Sequence, residues 1–306
     1  MEPASGDASF RRYLRVRLPG RTYVAMDAPP HQEDSARYVD VARRLRAIGI
    51  NVPEVYEADL DRGFLLLEDL GTALYLDRLD EASADRLYGD ALAALMVIQA
   101  CGPRDDLPDY DASLLARELE IFREWLLGRH LGVELSRSEG RVLDEAFDLL
   151  IGNALEQPRV CVHRDYHSRN LLVTEPPTPG VLDFQDAVIG PVTYDPVSLL
   201  RDCYVRWPRE RVDTWATGYF DLAVQSGVLR DEHEGSFPRW MDLMGVQRHL
   251  KAAGIFARLD VRDHKGGYLA DIPRTLGYVQ EVAANYPELA ELRVLVERRV
   301  LPRLGV

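Results

Sequence analysis

The chain has 306 residues, of which 46% are hydrophobic, and a formal net charge of -13. This length can build one or two hydrophobic cores, and the acidic balance argues against a nucleic-acid binder or a protein docked on an anionic membrane, because both need a basic surface. Three scattered cysteines, Cys101, Cys161 and Cys203, suggest neither disulfides nor a CxxC metal site. No apolar run approaches the roughly 18 residues that would span a membrane, so the sequence favours a cytoplasmic protein.

Short strand patterns fill the first seventy residues. Arg12 to Leu18 alternates long polar and apolar residues, a Pro-Gly turn follows, and residues 22–28 form a second run, so the two predict a β-hairpin. Helical spacing of apolar residues predicts one helix over residues 33–48. Residues 52–58 and 63–71 predict two further strands. This part of the chain is predicted to be a small antiparallel sheet with one main helix.

The remainder of the chain is mostly helical in its hydrophobic period. Helices are predicted around residues 87–98, 115–126, 143–154, 195–206, 209–226, 238–258 and 288–303. We therefore predict an α+β fold with two lobes, a small lobe over residues 1–70 and a larger, mostly helical lobe over residues 71–306.

A cluster of polar residues interrupts two apolar runs in VCVHRDYHSRNLLV, residues 160–173. Asp165 and Asn170 lie in a part with no helix or strand period, and Asp183 ends the next apolar run. If the two runs pair as a hairpin, Asn170 and Asp183 come side by side, and one amide oxygen with one carboxylate suits Mg²⁺ that completes its shell with phosphate and water. Asp165 could then accept a proton from an attacking hydroxyl.

The spacing of HRDYHSRN and the later LDF resembles the catalytic loop and the metal-binding motif of protein kinases. His167 makes the loop similar to the aminoglycoside and choline kinase branch, whose loop reads H-x-D-x-x-x-x-N. The resemblance implies a kinase-like fold in which Asp165 is the catalytic base and Asn170 and Asp183 bind Mg²⁺.

The same resemblance implies where a nucleotide binds. LLLEDLG, residues 65–71, is similar to the kinase hinge, whose backbone at Glu68, Asp69 and Leu70 would hydrogen-bond adenine. ATP is thereby implied as the phosphoryl donor. Residues 1–70 would form the nucleotide-binding N-lobe, and residues 71–306 the C-lobe with the catalytic loop, the metal site and the acceptor pocket.

The sequence departs from protein kinases where their third strand carries a lysine, as in VAIK. Here the strand reads VAMD, so the ammonium that anchors phosphate is missing. SGDASFRRY, residues 5–13, has a single glycine, but its hydroxyls and backbone amides could cradle phosphates, and a guanidinium at its end could replace the lysine. The candidate phosphate contacts are Ser5, Ser9, Arg11 and Arg12.

Basic and aromatic residues are concentrated in residues 199–208 and 244–279, which is unusual in an acidic chain. The cations could bind an anionic group of the acceptor, and the aromatic rings offer flat faces on which sugars pack. Ordinary surface cations and core aromatics are the alternative interpretation. The candidate acceptor contacts are His167, Arg201, Asp202, Tyr204, Trp207 and Arg248.

A narrower resemblance runs nearly end to end. SFRRYLRV, VAMDAPP, LLRDCYVRWP and QRHLKAAGIFARL are similar to the bacterial anomeric kinases of N-acetylmuramate and N-acetylglucosamine, which act in cell-wall sugar recycling. This implies ATP-dependent phosphorylation of the C1 hydroxyl, with Arg201 or Arg248 meeting the lactyl carboxylate of N-acetylmuramate. The expected partner is a small amino sugar, with no nucleic acid, membrane or obligate protein partner.

Two other functions stay open at this point. An aminoglycoside or amino-alcohol kinase of the same fold would bind a polycation through carboxylates, and the basic stretches count against it. A pseudokinase that only binds a ligand would explain the missing strand lysine. The presence of Asp165, Asn170 and Asp183 together counts against that third function.

Overall fold

The computed structural model describes residues 2–5 and 11–305 as an α+β protein. The chain divides into two compact units. Unit 1 comprises residues 1–108, 160–189 and 226–228, and unit 2 comprises residues 109–159, 190–225 and 229–306. Among the described residues, no helix is both long enough and apolar enough to cross a membrane.

An antiparallel sheet of five strands begins unit 1, in the order β1-β2-β3-β5-β4. The strands are β1 (Glu2–Ser5), β2 (Arg12–Leu18), β3 (Arg21–Asp27), β4 (Val55–Asp59) and β5 (Phe64–Glu68). The predicted hairpin is present as β2 and β3, with Arg12 opposite Asp27. Strand β1 was not predicted, and only its last residue, Ser5, belongs to the segment that the sequence assigns to phosphate binding.

Three helices and four short strands accompany this sheet. They are α1 (Ser35–Ala47), α2 (Tyr75–Arg78), α3 (Ala84–Cys101), β6 (Arg159–Val162), β7 (Leu171–Leu172), β8 (Gly180–Val181) and β9 (Val188–Pro191). Helix α1 begins after Asp34, whose side chain accepts the N–H of Arg37 at 3.0 Å and so caps the helix. Strands β7 and β8 pair with each other, and β6 pairs with β9.

Unit 1 extends beyond the predicted lobe boundary, and hydrogen bonds explain why. Val181 N–H donates to the carbonyl of Asn51 at 2.8 Å, and Leu76 N–H donates to the carbonyl of Ser168 at 3.1 Å. These bonds join Val160–Ile189 to the chain on both sides of the predicted boundary. The predicted catalytic loop therefore belongs to the same compact unit as the sheet, which a division based on sequence periodicity does not show.

Unit 2 is helical. Its α-helices are α4 (Ala112–Ile121), α5 (Arg137–Leu155), α6 (Tyr194–Leu200), α7 (Arg209–Gln225), α8 (Phe237–Asp263), α9 (Ile272–Ala283), α10 (Ala290–Leu295) and α11 (Leu301–Leu304). The π-helical segment Phe122–His130 continues α4, and the π-helical segment Val296–Val300 joins α10 to α11. The 27-residue helix α8 contributes buried apolar residues to a core that it shares with α4, α5 and α9. At Gly254 of α8, a Cβ atom would lie 2.6 Å from the backbone nitrogen of Phe122, so only glycine permits this close helix contact.

Two helices of unit 2 differ from the prediction. The helix predicted over residues 195–206 ends at Leu200, and the buried Arg201 that follows it donates to Oδ1 of Asp242 in α8 at 2.6 Å. Helix α9 was not predicted, since Pro273 and the Gly-Gly pair that precedes the helix obscure its apolar period.

Candidate functional site

The predicted catalytic loop, residues 163–170, is held by its own backbone. The carbonyl of Asp165 accepts the N–H of His167 at 3.1 Å and the side-chain Nδ2 of Asn170 at 3.0 Å. Arg164 adopts a left-handed backbone conformation with φ of 77°, which turns the chain out of β6. Asp165 and Asn170 are thus fixed on one tight loop. Because Nδ2 of Asn170 faces the Asp165 carbonyl, Oδ1 of Asn170 is directed away from that carbonyl.

The buried side chain of His163 supports this loop. Its side chain is buried, and its Nδ1 accepts the N–H of Asp165 at 3.3 Å. Its ring packs edge-on against Tyr166 with centroids 5.5 Å apart, and the Tyr166 hydroxyl donates to the carbonyl of Ala91 at 2.8 Å. These contacts give His163 a supporting role in the loop.

Buried histidines make the stability of the protein depend on pH. Burial lowers the pKa of His163 to about 4 and that of His249 to about 3, from an ordinary 6.5. As the pH falls below 6.5, the unfolded chain binds these protons first, so stability present at neutral pH is lost. We expect each histidine to reduce the free energy of unfolding by about 2 kcal/mol between pH 7 and pH 5.

Urea denaturation at pH 7 and pH 5 measures this loss. In His249→Gln, the free energy of unfolding should fall less between pH 7 and pH 5 than in the parent, and the difference should be about 2 kcal/mol, the contribution of one histidine. Equal decreases in the two proteins would contradict the assignment to His249.

The predicted metal ligands are brought together by the β7–β8 hairpin. Leu171 pairs with Val181, and beyond this pair Leu182 N–H donates to the carbonyl of Asn170 at 2.9 Å. Asp183 follows directly, with a left-handed φ of 62°. The structure therefore places Asn170 opposite the residue that precedes Asp183, at the open end of the hairpin.

The residues around Asp183 fit Mg²⁺. One amide oxygen and one carboxylate are hard oxygen donors, which Mg²⁺ binds while it keeps water and phosphate ligands. The buried Oε1 of Gln185, two residues after Asp183, accepts no hydrogen bond within the described part of the chain, as expected beside a hydrated ion. No cluster of three or more His, Cys, Asp and Glu residues among the described residues could hold a metal, so a magnesium site here would rely on phosphate and water.

The two predicted arginines differ sharply in their surroundings. The side chain of Arg11 is only 6% exposed, pairs with Glu33 at 2.7 Å, and places Nη1 at 4.0 Å from Oδ1 of Asp183. Arg12 is 75% exposed and pairs with Asp27. Arg11 is thus the guanidinium beside the predicted metal ligand. Ser9 and the side chain of Ser5 lie outside the described residues.

An open pocket lies beside the predicted hinge. Its volume is about 560 Å³, and it is lined by residues of the hinge and of the β7–β8 turn: Asn51, Glu68, Asp69, Leu70, Val173, Thr174, Glu175, Pro176 and Pro177. Both walls belong to unit 1. The backbone N–H of Leu70 donates to no backbone carbonyl among the described residues. The pocket therefore adjoins the backbone of the predicted hinge.

The two carboxylates of the hinge already have partners. Asp69 accepts Nε and Nη2 of Arg15 at 2.6 and 2.9 Å, and it also accepts the N–H of Gly71 at 3.0 Å. Burial alone would raise the pKa of Asp69, but these bonds outweigh it and hold the pKa below its ordinary value. Glu68 accepts Nη1 of Arg46 at 3.1 Å. The side chains are thus neutralised, and the backbone is the part of the hinge left to contact a ligand.

Most candidate acceptor residues lie in unit 2, and its cationic candidates are buried. Arg201 donates to Oδ1 of Asp242 at 2.6 Å, so its charge is already compensated. Arg248 donates Nη1 to the sulfur of Cys203 at 3.4 Å. His167 is buried on the predicted catalytic loop of unit 1.

The other three candidates have local partners in unit 2. Asp202 is fully buried and accepts the N–H of Tyr204 at 3.0 Å. Trp207 packs edge-on against Trp215, and the guanidinium of Arg211 lies 4.9 Å from the centre of its ring. The predicted flat sugar-binding face of Trp207 is therefore shared with a cation. Contact with an acceptor stays a prediction for all of these residues.

Three residues near the site were missed from the sequence: Arg15, Glu33 and Gln185. Arg15 and Glu33 act through ion pairs with residues that are distant in the chain, and no local pattern signals such pairs. Gln185 could have been noticed, because it stands two residues after the predicted metal ligand, where the protein-kinase motif has glycine.

Comparison with known proteins identifies similar enzymes. A family model described as "Phosphotransferase enzyme family" matches residues 1–233. A protein from Pseudomonas aeruginosa named N-acetylmuramate/N-acetylglucosamine kinase is 50% identical over 297 residues, which cover 96% of this chain and 87% of the relative. A protein of the same name from Pseudomonas putida is 48% identical over 293 residues, which cover 96% and 86%.

Solved structures with the same fold are more distant in sequence. The choline kinase LicA from Streptococcus pneumoniae superposes with a TM-score of 0.62 at 12% identity, over 90% of both chains. The ADP-bound aminoglycoside phosphotransferase APH(2'')-Ib superposes with a TM-score of 0.56 at 16% identity, over 88% of this chain and 92% of the other. These likenesses concern the fold, and they confirm the predicted kinase-like α+β architecture.

Proposed function

Because the chain belongs to the phosphotransferase enzyme family, we propose that it transfers the γ-phosphoryl group of ATP to the anomeric C1 hydroxyl of N-acetylmuramate, N-acetylglucosamine or both. The observation that carries the proposal is the placement of Asp165, Asn170 and Asp183 on one loop and the adjoining hairpin. The names of the relatives at 50% and 48% identity support the choice of acceptor. The sugar 1-phosphate would serve the recycling of peptidoglycan sugars.

In the proposed reaction, Asp165 is the general base. It accepts the proton of the C1 hydroxyl while the C1 oxygen forms a bond to the γ-phosphorus, and the bond from that phosphorus to the β–γ bridging oxygen breaks to release ADP. Mg²⁺ held by Asn170 and Asp183 would neutralise negative charge on the β- and γ-phosphates. Arg11, beside Asp183, would bind phosphate oxygens in place of the missing strand lysine.

The hinge pocket supports binding of the adenine ring. The hinge carboxylates Asp69 and Glu68 beside it are already paired with Arg15 and Arg46, so neither of these two presents an unpaired charge to a neutral base. A cavity of about 560 Å³ also has the size of a typical small-ligand site.

For N-acetylmuramate, we favour Arg248 over Arg201 as the contact for the lactyl carboxylate. The charge of Arg201 is compensated by Asp242 at 2.6 Å, and a second carboxylate there would compete with the first for the same guanidinium. The remaining acceptor candidates, Asp202, Tyr204, Trp207 and His167, belong to the same proposal. A cytoplasmic location, and the lack of a nucleic-acid or obligate protein partner, are also part of it.

A product assay tests the function directly. The protein is incubated with ATP and Mg²⁺ and with N-acetylmuramate, N-acetylglucosamine, kanamycin or choline, and the product is examined by phosphorus NMR. A 1-phosphate should give a phosphorus signal split by one anomeric proton, whereas phosphorylation at C6 would split it by two. Turnover of kanamycin or choline alone would contradict the proposal, and no turnover with any acceptor would favour a binding module.

A further inference from the structure

Gln185 turns its side chain back to the predicted metal ligand. Its Nε2 donates to Oδ1 of Asp183 at 2.7 Å, and the residue is 3% exposed. The intervening Phe184 packs its buried ring against Tyr38, with centroids 4.9 Å apart. The carbonyl of Phe184 accepts the N–H of Ala187 at 3.2 Å and closes a turn. Gln185 is thus held at Asp183 by packing and by backbone bonds on both sides.

The orientation of the Gln185 amide follows from its neighbour. An ionised carboxylate only accepts hydrogen bonds, so the nitrogen of the amide must face Asp183, since the flipped amide would bring two oxygens together. Oε1 is therefore directed away from Asp183. This atom is buried, and it accepts no hydrogen bond from any residue that the structure describes. A buried carbonyl oxygen without a donor is costly, which points to a donor from outside the chain.

A hydrated metal at Asp183 would supply that donor. Mg²⁺ gives up its water reluctantly and usually retains several water ligands, each of which can donate a hydrogen bond. Both the Gln185 amide and Nη1 of Arg11 approach Oδ1 of Asp183, at 2.7 and 4.0 Å.

We propose that Gln185 is a positioning residue of the Mg²⁺ site: its Nε2 fixes the carboxylate of Asp183, and its Oε1 accepts a hydrogen bond from a water molecule on the metal. This inference rests on the proposed function, because it takes Asp183 as a metal ligand. A glutamine can do this without adding negative charge, unlike a glutamate at the same position. Residues that orient a metal ligand from outside its coordination shell typically change metal affinity 10- to 100-fold when replaced.

The test measures the Mg²⁺ dependence of ADP binding by calorimetry. ADP affinity is determined over a series of Mg²⁺ concentrations and in EDTA for the parent, Asp183→Asn and Gln185→Met, which keeps the side-chain length but has no amide. Gln247→Met is the matched control, since Gln247 is a fully buried glutamine of unit 2 whose amide atoms have no partner among the described residues.

We expect the half-maximal effect of Mg²⁺ to require about tenfold more metal in Gln185→Met, with ADP affinity in EDTA unchanged. Gln247→Met should match the parent. A parent-like Mg²⁺ dependence in Gln185→Met would overturn the inference alone. If Mg²⁺ does not change ADP affinity in the parent, or if Asp183→Asn leaves the dependence intact, the proposed metal role of Asp183 fails instead. Should Gln185→Met not fold, Gln185→Asn, whose shorter amide cannot reach Asp183, is expected to show the same shift, and a parent-like result would count against Gln185.

Discussion

The Asp165→Asn variant is expected to lose turnover by roughly 10²- to 10⁴-fold while its affinity for ADP stays unchanged. An amide cannot accept the proton of the sugar hydroxyl. Backbone bonds at this position should keep the loop in place, because the carbonyl of residue 165 accepts from His167 and Asn170 and its N–H donates to His163.

Single-turnover kinetics with N-acetylglucosamine and N-acetylmuramate measure the chemical step, and calorimetry measures ADP binding. Asp221→Asn, which makes the same change at an exposed position of α7, should keep the parent rate. Parent-like turnover in Asp165→Asn would remove Asp165 as the base. Lost ADP binding would instead indicate that the substitution disturbs the loop.

The Arg11→Ala variant is expected to lower kcat/KM for ATP by about 10- to 100-fold, the effect of removing a charged hydrogen-bond donor from a phosphate. The Arg11 guanidinium is buried between Glu33 and Asp183, where the field of a charge is weakly screened. Arg12→Ala is the matched control. Its side chain is 75% exposed, and its loss should change kcat/KM less than twofold.

Removing Arg11 also leaves the carboxylate of Glu33 without its 2.7 Å partner, so stability must be separated from catalysis. The double variant Arg11→Ala with Glu33→Gln avoids a buried unpaired charge and should show the same kinetic loss with less destabilisation. Thermal unfolding monitors the stability. If Arg11→Ala and the parent have equal kcat/KM for ATP, or if Arg12→Ala carries the larger loss, another group replaces the strand lysine.

Local periodicity predicted those parts of the fold in which neighbours in sequence are neighbours in space. Strand β2 has the predicted bounds, Arg12–Leu18, and helix α1 lies within the predicted residues 33–48. The motif that contains Asp165 and Asn170 was also sufficient to predict the family. The predicted enzyme class, a phosphotransferase with an alcohol acceptor, is confirmed by the family model and the named relatives.

The remaining features depend on contacts between distant parts of the chain. The pairing of Arg11 with Glu33, which separates it from the otherwise similar Arg12, joins residues 22 positions apart and leaves no periodic signal. Arg201 was predicted as a cation for the acceptor, but Asp242, which compensates it, lies 41 positions away. A sequence shows which residues carry charge, whereas their burial and their partners are fixed only by tertiary packing.

The ion pair between Arg15 and Asp69 makes the predicted hinge rigid before a ligand binds. The Arg15 guanidinium donates two bonds to Asp69 and a third to the carbonyl of Gly71 at 3.1 Å, and the Gly71 N–H donates to Asp69, so the hinge is fixed at Asp69 and Gly71. A ligand that docks there meets a pre-organised surface and does not lose free energy to loop ordering. Differences in affinity between purine bases at this surface should therefore reflect their direct contacts, with little contribution from the conformational entropy of the protein.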